Sequence, residues 1–265
     1  MMVRVVGFVV SRWTLPAFAL LGGCALAAGQ AAAPPTSLTA DQVTARVETM
    51  NERRAAKLQS YSSVRTYRLV MHGLLSRKAE MVVRADYRAP NTKEFTVISE
   101  SGSTVVRERV FRRLLQEELD AMAPRKQKHS ALTEENYRFK LVKHYRTDSD
   151  EFYVLKAEPK TKNKLLFAGR IWVDTADFAV TKVDGQPAVN PSWWTPRTNF
   201  SRIYEHVGEF WLPESNRSVT SVRIFGTAVM TITYRDYQIA PSAPATATPD
   251  MASASRDALT PGPNP

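Results

Sequence analysis

Hydrophobic positions at the start of the mature chain recur at helical spacing. Val43, Val47, Met50 and Leu58 share one face, and Thr39 with Gln42 three residues later makes a capping box, so the pattern predicts an amphipathic helix over 40–58. Its other face carries Glu48, Glu52, Arg53, Arg54 and Lys57 and reads as solvated. From residue 63 the period falls to two. Over 78–88, Ala79, Met81, Val83, Ala85 and Tyr87 alternate with Lys78, Glu80, Arg84, Asp86 and Arg88, interrupted only by Val82, which predicts a strand with one wet face. Tyr67, Leu69 and Met71 precede it, and Phe95 and Val97 follow the turn at Pro90-Asn91, giving three antiparallel strands in succession.

The strand series breaks at 104–122, where Val106, Val110, Leu114 and Met122 recur at helical spacing and predict a second helix inserted into the sheet. Residues 124–128 read as a basic loop. Strand rhythm resumes at Tyr137, Phe139 and Leu141, then at Tyr153, Leu155 and Ala157, then at Phe167, Gly169, Ile171 and Val173. Further strands are expected near 178–184, 199–207, 217–225 and 228–237, with Trp193 and Trp194 in a loop rich in turn formers. About ten strands and two or three helices without a βαβ rhythm make an α+β fold.

A sheet of that many strands, each with one apolar face, must close or curve around apolar material that is not sheet. The expectation is a strongly curved antiparallel sheet, an incomplete β-barrel, wrapped around the helices and leaving a greasy cavity on its concave side. A fully packed core is the competing outcome. The residues expected to line the cavity are Leu69, Met71, Met81, Val83, Phe95, Val97, Phe139, Leu141, Leu155, Phe167, Ile171, Met230 and Ile232. Met50 and Met122 are assigned inward with them, because unbranched thioethers adapt to exchangeable apolar contents. Acyl chains bound there gain about 25 cal/mol per Å² of apolar surface removed from water, so such a site needs no polar sequence motif.

Both ends of the chain differ from this middle. Arg4 and Arg12 precede a short apolar run, Thr14 to Leu21, and residues 1–23 read as a signal peptide. Leu21-Gly22-Gly23-Cys24 suits lipoprotein processing with lipidation of Cys24, whereas Ala25-Leu26-Ala27 suits an ordinary cut that discards it. Residues 24–38 then form a tether, 39–239 the folded domain, and 240–265, with six of the 16 prolines, a tail of disordered composition. The expected location is the periplasm, on the outer membrane if Cys24 carries lipid. Cys24 is the sole cysteine, which excludes an internal disulfide.

Several stretches resemble the LolA/LolB-like superfamily, in the branch of outer membrane lipoprotein-sorting proteins. They are Leu166-Phe167-Ala168-Gly169-Arg170-Ile171-Trp172-Val173-Asp174 before Phe178-Ala179-Val180, Gly208-Glu209-Phe210-Trp211-Leu212-Pro213, and Ile232-Thr233-Tyr234-Arg235-Asp236-Tyr237. The resemblance implies a half barrel closed by helices that shields acyl chains of lipoproteins or other amphiphiles. It also implies an arginine that hydrogen-bonds a helical lid shut. No motif places that arginine; Arg53, Arg54, Arg112 and Arg113 lie on the candidate lid helices. A lipidated Cys24 would make the chain an anchored acceptor rather than a diffusing carrier.

Without Arg4 and Arg12 the chain has 34 basic and 26 acidic residues; for an exported protein this excess suits anionic lipid surfaces rather than nucleic acid, with an ordinary solvated basic surface as the alternative. No G-x-S-x-G elbow, H-E-x-x-H or phosphate loop occurs, and His72, His129, His144 and His206 are scattered. The expectation is therefore a binder of acyl chains, lipoprotein or another amphiphile, with no catalysis, no cofactor and no metal. Two alternatives stand beside it: a lipid-sensing or protein-binding module of envelope regulation, and a structural surface lipoprotein without ligand.

Overall fold

A computed structural model describes residues 38–240 apart from 75, 149 and 191–194; the signal segment, Cys24, the tether up to residue 37, the tail from residue 241, Trp193 and Trp194 lie outside the described residues. Helix α1 (Ala40–Lys57) begins at the capping box, with Gln42 N donating to Thr39 Oγ1 at 3.2 Å and Thr39 N to Gln42 Oε1 at 2.9 Å. These reciprocal bonds satisfy two otherwise orphaned donors and fix where the helix starts. Val43 and Val47 are buried on its inner face.

Strands β1 (Ser60–His72), β2 (Arg77–Arg88) and β3 (Thr92–Gly102) follow as an antiparallel meander. In β2 the alternation is realised with Ala79, Met81, Val83 and Ala85 all buried. Val82 pairs with Ser99 and Val83 with Val97, so Ile98 is the extra residue of a bulge, and it is 57% exposed. Strands β4 (Tyr137–Arg146), β5 (Glu151–Pro159), β6 (Phe167–Asp174), β7 (Val180–Pro187), β8 (Arg197–Val207), β9 (Phe210–Val222) and β10 (Gly226–Ile239) complete one sheet. β9 starts seven residues before the position expected from the sequence. Its Pro213 sits opposite Tyr204, at the irregularity beside Ile203, where a missing N–H is tolerated.

The strand order is β3-β2-β1-β10-β9-β8-β7-β6-β5-β4, so β3 and β4, consecutive in sequence, form the two free edges of an unclosed antiparallel sheet. The chain between them must cross the open side, and this puts the inserted helix in the concavity. It comprises α2 (Thr104–Val106), a π turn (Arg107–Phe111) and α3 (Arg112–Ala121). Sequence spacing pointed to Val106, Val110 and Leu114 as the inner face. The π turn adds one residue, so Val106, Phe111 and Leu115 are buried instead, while Val110 and Leu114 are only partly covered. Residues 124–128, expected as a loop, form the short helix α4 (Pro124–Lys128), with proline at its first turn where no N–H is needed.

Two apolar clusters fill the interior. α1 contributes Val43 and Val47 to one, against Leu155, Phe167, Ile171, Val173 and Phe200 of β5 to β8. The inserted helix contributes Val106, Phe111 and Leu115 to the other, against Tyr67, Leu69, Met81, Val83, Met230 and Ile232 of β1, β2 and β10. Each half of the wall thus has its own helix.

Candidate functional site

The expected lining residues divide between these clusters. Leu69, Met81, Val83, Met230 and Ile232 are buried beneath the inserted helix, with Met71, Phe95 and Val97 partly buried at the margin. Leu155, Phe167 and Ile171 are buried beneath α1, with Phe139 and Leu141 partly buried towards the β4 edge. Met81, Val83 and Leu155 have no surface open to water. In this conformation the helices occupy the concave face, so a guest reaches these side chains only where a helix gives way.

Between the two apolar fields lies a polar centre. Arg65 is buried on β1, in phase with Ser63, Tyr67 and Leu69, and its Nη1 donates to both carboxylate oxygens of Glu118 on α3, at 2.9 and 3.0 Å. Lys93, on β3 and in phase with Phe95 and Val97, donates to Glu118 Oε1 at 2.8 Å. The inserted helix is therefore clasped by two cations from two strands through one carboxylate. Side-chain exposure is 3% for Arg65, 12% for Lys93 and 32% for Glu118, so the two cations are deeply buried and the Glu118 side chain is only partly covered.

Aromatic rings surround the clasp. The Arg65 guanidinium lies 5.0 Å from the Tyr234 ring centre and 5.4 Å from that of Phe95, and Lys93 Nζ lies 5.8 Å from Tyr87 and 6.0 Å from Tyr61. Burial pushes the Glu118 carboxyl up, but Arg65 and Lys93 outweigh it and hold the group well below the usual carboxylate range. Burial also opposes the charge on Arg65 and Lys93, and Glu118 more than restores it. Tyr67 and Tyr234 are pushed up by burial and stay neutral.

A third cation, Arg202, stands on β8, three strands across the sheet from Arg65: it pairs in register with Asn216, which pairs with Ile232, which pairs with Tyr67 of β1. Burial disfavours its charge, whereas Tyr204, Tyr234 and Glu118 favour it, with a net upward shift. No carboxylate lies within ion-pair distance of Arg202 among the described residues, and its Nε is buried without a hydrogen-bond partner. Arg65 Nε and Ser63 Oγ share that condition.

α1 is fastened differently. Arg54 forms an ion pair with Asp177 Oδ2 at 3.1 Å and donates to the Asp177 carbonyl, while Trp211 Nε1 donates to Asp177 Oδ2 at 2.6 Å. Asp177 lies in the acidic turn that ends the β6 motif, where Asp174 Oδ1 accepts from Ala176 N and Asp177 N. Of the four arginines singled out on the candidate lid helices, Arg54 binds this turn, Arg112 pairs with Glu100 of β3 at 3.0 Å, Arg113 pairs with Glu117 on its own helix, and Arg53 Nη1 contacts Met50 Sδ. The inserted helix is thus tied to the sheet from both sides, by Arg65 of β1 reaching Glu118 and by its own Arg107 and Arg112 reaching Glu100 of β3.

Sequence reading passed over Arg65, Lys93, Glu118 and Arg202. The signal was present in the alternation: Arg65 occupies the inward phase of Tyr67 and Leu69, and Lys93 that of Phe95 and Val97. A long cation in the apolar phase of a strand needs a partner brought from elsewhere.

Comparison with protein-family models and with curated proteins finds no match. Among solved structures, the chain is similar to a LolA superfamily protein, NE2245 from Nitrosomonas europaea, at 10% identity and a TM-score of 0.34, covering 77% of this chain and 94% of that one. It is similar to a DUF1329 family protein from Desulfovibrio piger at 11% identity and a TM-score of 0.39, with the same coverage of 77% and 94%. A third similarity is to a putative outer membrane lipoprotein-sorting protein domain from Vibrio parahaemolyticus, at 11% identity and a TM-score of 0.35, covering 72% and 91%.

Proposed function

We propose that this domain binds the acyl chains of a lipid, a lipoprotein or another amphiphile in the cell envelope, without catalysis. The observation that carries the reading is the way the concave wall is covered. Val106, Phe111 and Leu115 fill it from a helix interrupted by a π turn, and polar bonds from Arg65 and Lys93 to the carboxylate of Glu118 tie that helix down. Such a helix can be exchanged for apolar contents of similar area at little net cost in burial, because the guest restores the contacts the helix gives up. Displacement of the environment-sensitive probe 1-N-phenylnaphthylamine by added lauric acid and lysophospholipid tests it. Saturable uptake and competition at micromolar concentrations are expected; a protein that never takes up the probe contradicts it.

Association with a membrane surface belongs to the same reading. Leu74 and Ile224, each 75% exposed, stand at the tips of the β1–β2 and β9–β10 turns. These turns touch backbone to backbone: Gly73 has φ +135°, and a Cβ there would lie 2.2 Å from the Phe225 carbonyl oxygen. Ile224 holds a β-branched side chain at φ 70°, a conformation that costs stability and that glycine or asparagine adopts more readily. No acidic residue occurs in 69–79 or 216–235, which include Arg77, Lys78, Arg217 and Arg223. Apolar tips among cations suit an anionic bilayer.

A further inference from the structure

The polar centre holds more positive than negative charge. Arg65 and Lys93 share the single carboxylate of Glu118, which leaves one cation in excess at the clasp, and Arg202 on β8 adds a further positive charge with no carboxylate of its own among the described residues. Three buried donors, Arg65 Nε, Arg202 Nε and Ser63 Oγ, have no acceptor. A structural ion pair has no use for surplus cations, because an unpaired buried charge lowers stability. The arrangement fits an anion with more oxygens than a carboxylate has. Arg65 uses Nη1 for both oxygens of Glu118 and keeps Nε empty, although its planar fork is suited to two parallel bonds.

We infer that Arg65 and Lys93 form the binding site for the anionic head, a phosphate or carboxylate, of an amphiphile whose chain enters the apolar field beneath the inserted helix. Glu118 fills that site as an internal stand-in while the helix is down. The inference rests on the amphiphile-binding reading above and adds the chemistry of the head. The position supports it. Arg65 lies one residue pair along β1 from Tyr67, at the border of the cluster formed by Met81, Val83, Met230 and Ile232, so a head at the cations directs its chain along that wall. Exchange of one anion for another keeps the cations paired, and a phosphate, with its greater charge and its third oxygen, offsets more of the excess and reaches the empty Nε. Tyr61, Tyr87, Tyr234 and Phe95 shield the head from water while leaving the cations charged.

The test compares dodecyl phosphate, dodecyl maltoside and inorganic phosphate, below any micelle concentration, as competitors of 1-N-phenylnaphthylamine on the full chain. Dodecyl phosphate is expected to compete at a concentration lower than dodecyl maltoside by roughly tenfold or more, the range of a charge-assisted hydrogen bond. Inorganic phosphate alone is expected to leave the probe in place. Glu118→Gln should widen the ratio between the two amphiphiles, since the stand-in is gone, and Arg65→Met should collapse it. Lys93→Met, on an edge strand, should also narrow it and serves if Arg65→Met does not fold. Equal competition by both amphiphiles, a ratio indifferent to these substitutions, or displacement by inorganic phosphate alone overturns the inference while leaving amphiphile binding standing. Failure of the probe to bind at all overturns both.

Discussion

Replacing Glu118 by glutamine keeps the size of the side chain and removes the sole anion of the clasp. Three hydrogen bonds at 2.8 to 3.0 Å from Arg65 and Lys93 become bonds to a neutral amide or are lost. With 3% and 12% exposure, the two cations cannot regain water without moving the helix, whereas Glu118 at 32% is already partly solvated. Removing one member of a buried pair costs about 3–5 kcal/mol, and the part-exposure of Glu118 places this case at about 2–4 kcal/mol. For a domain of this size that lowers the thermal midpoint by roughly 4–16 °C. Arg65→Met should cost less, because Lys93 still pairs with Glu118 and one surplus cation disappears. Urea denaturation gives both values, and amide exchange locates them: 112–121 should open faster in Glu118→Gln while 40–57 is unchanged. Equal stability of wild type and Glu118→Gln, or a greater loss in Arg65→Met, would refute a centre governed by excess positive charge.

The same carboxylate sets a pH dependence. Its pKa is lower folded than the ordinary value of 4.5, so its contribution is complete above that value and falls away as pH drops towards the folded pKa; denaturation midpoints between pH 5 and 3 should decline more steeply for wild type than for Glu118→Gln. Phe111→Ala, which empties a fully buried site under the π turn, should cost about 3–5 kcal/mol, read as a lower urea midpoint at unchanged slope. Asp177→Asn removes the ion pair with Arg54 and weakens the Trp211 bond, and should destabilise by about 1 kcal/mol and shift Trp211 fluorescence. Leu74→Asp with Ile224→Asp should reduce co-sedimentation with anionic phospholipid vesicles about tenfold or more while leaving stability within about 0.5 kcal/mol.

Much of the architecture was legible because local chemistry and global packing agree in it. The box at Thr39 and Gln42 marks where α1 begins, and the alternation of Ala79, Met81, Val83 and Ala85 is the inward phase of β2. Less visible was the face of the inserted helix, since a π turn changes the residue spacing without leaving a compositional mark, and Phe111 replaced Val110. The early start of β9 was hidden by Pro213, which reads as a breaker until its place beside a bulge is known. The clasp was harder still. Arg65 and Glu118 stand 53 positions apart, and their meeting depends on β3 and β4 taking opposite edges of the sheet, a topological fact that no short pattern expresses.

Native mass spectrometry of the untagged full chain, released from the cell envelope in mild detergent, asks whether the domain carries an amphiphile at all. A population bearing one or two lipid masses with acidic heads is expected, diminished in Arg65→Met and refilled on incubation with phosphatidic acid. A bare protein mass that persists after such incubation, in wild type and in Glu118→Gln alike, would contradict amphiphile binding.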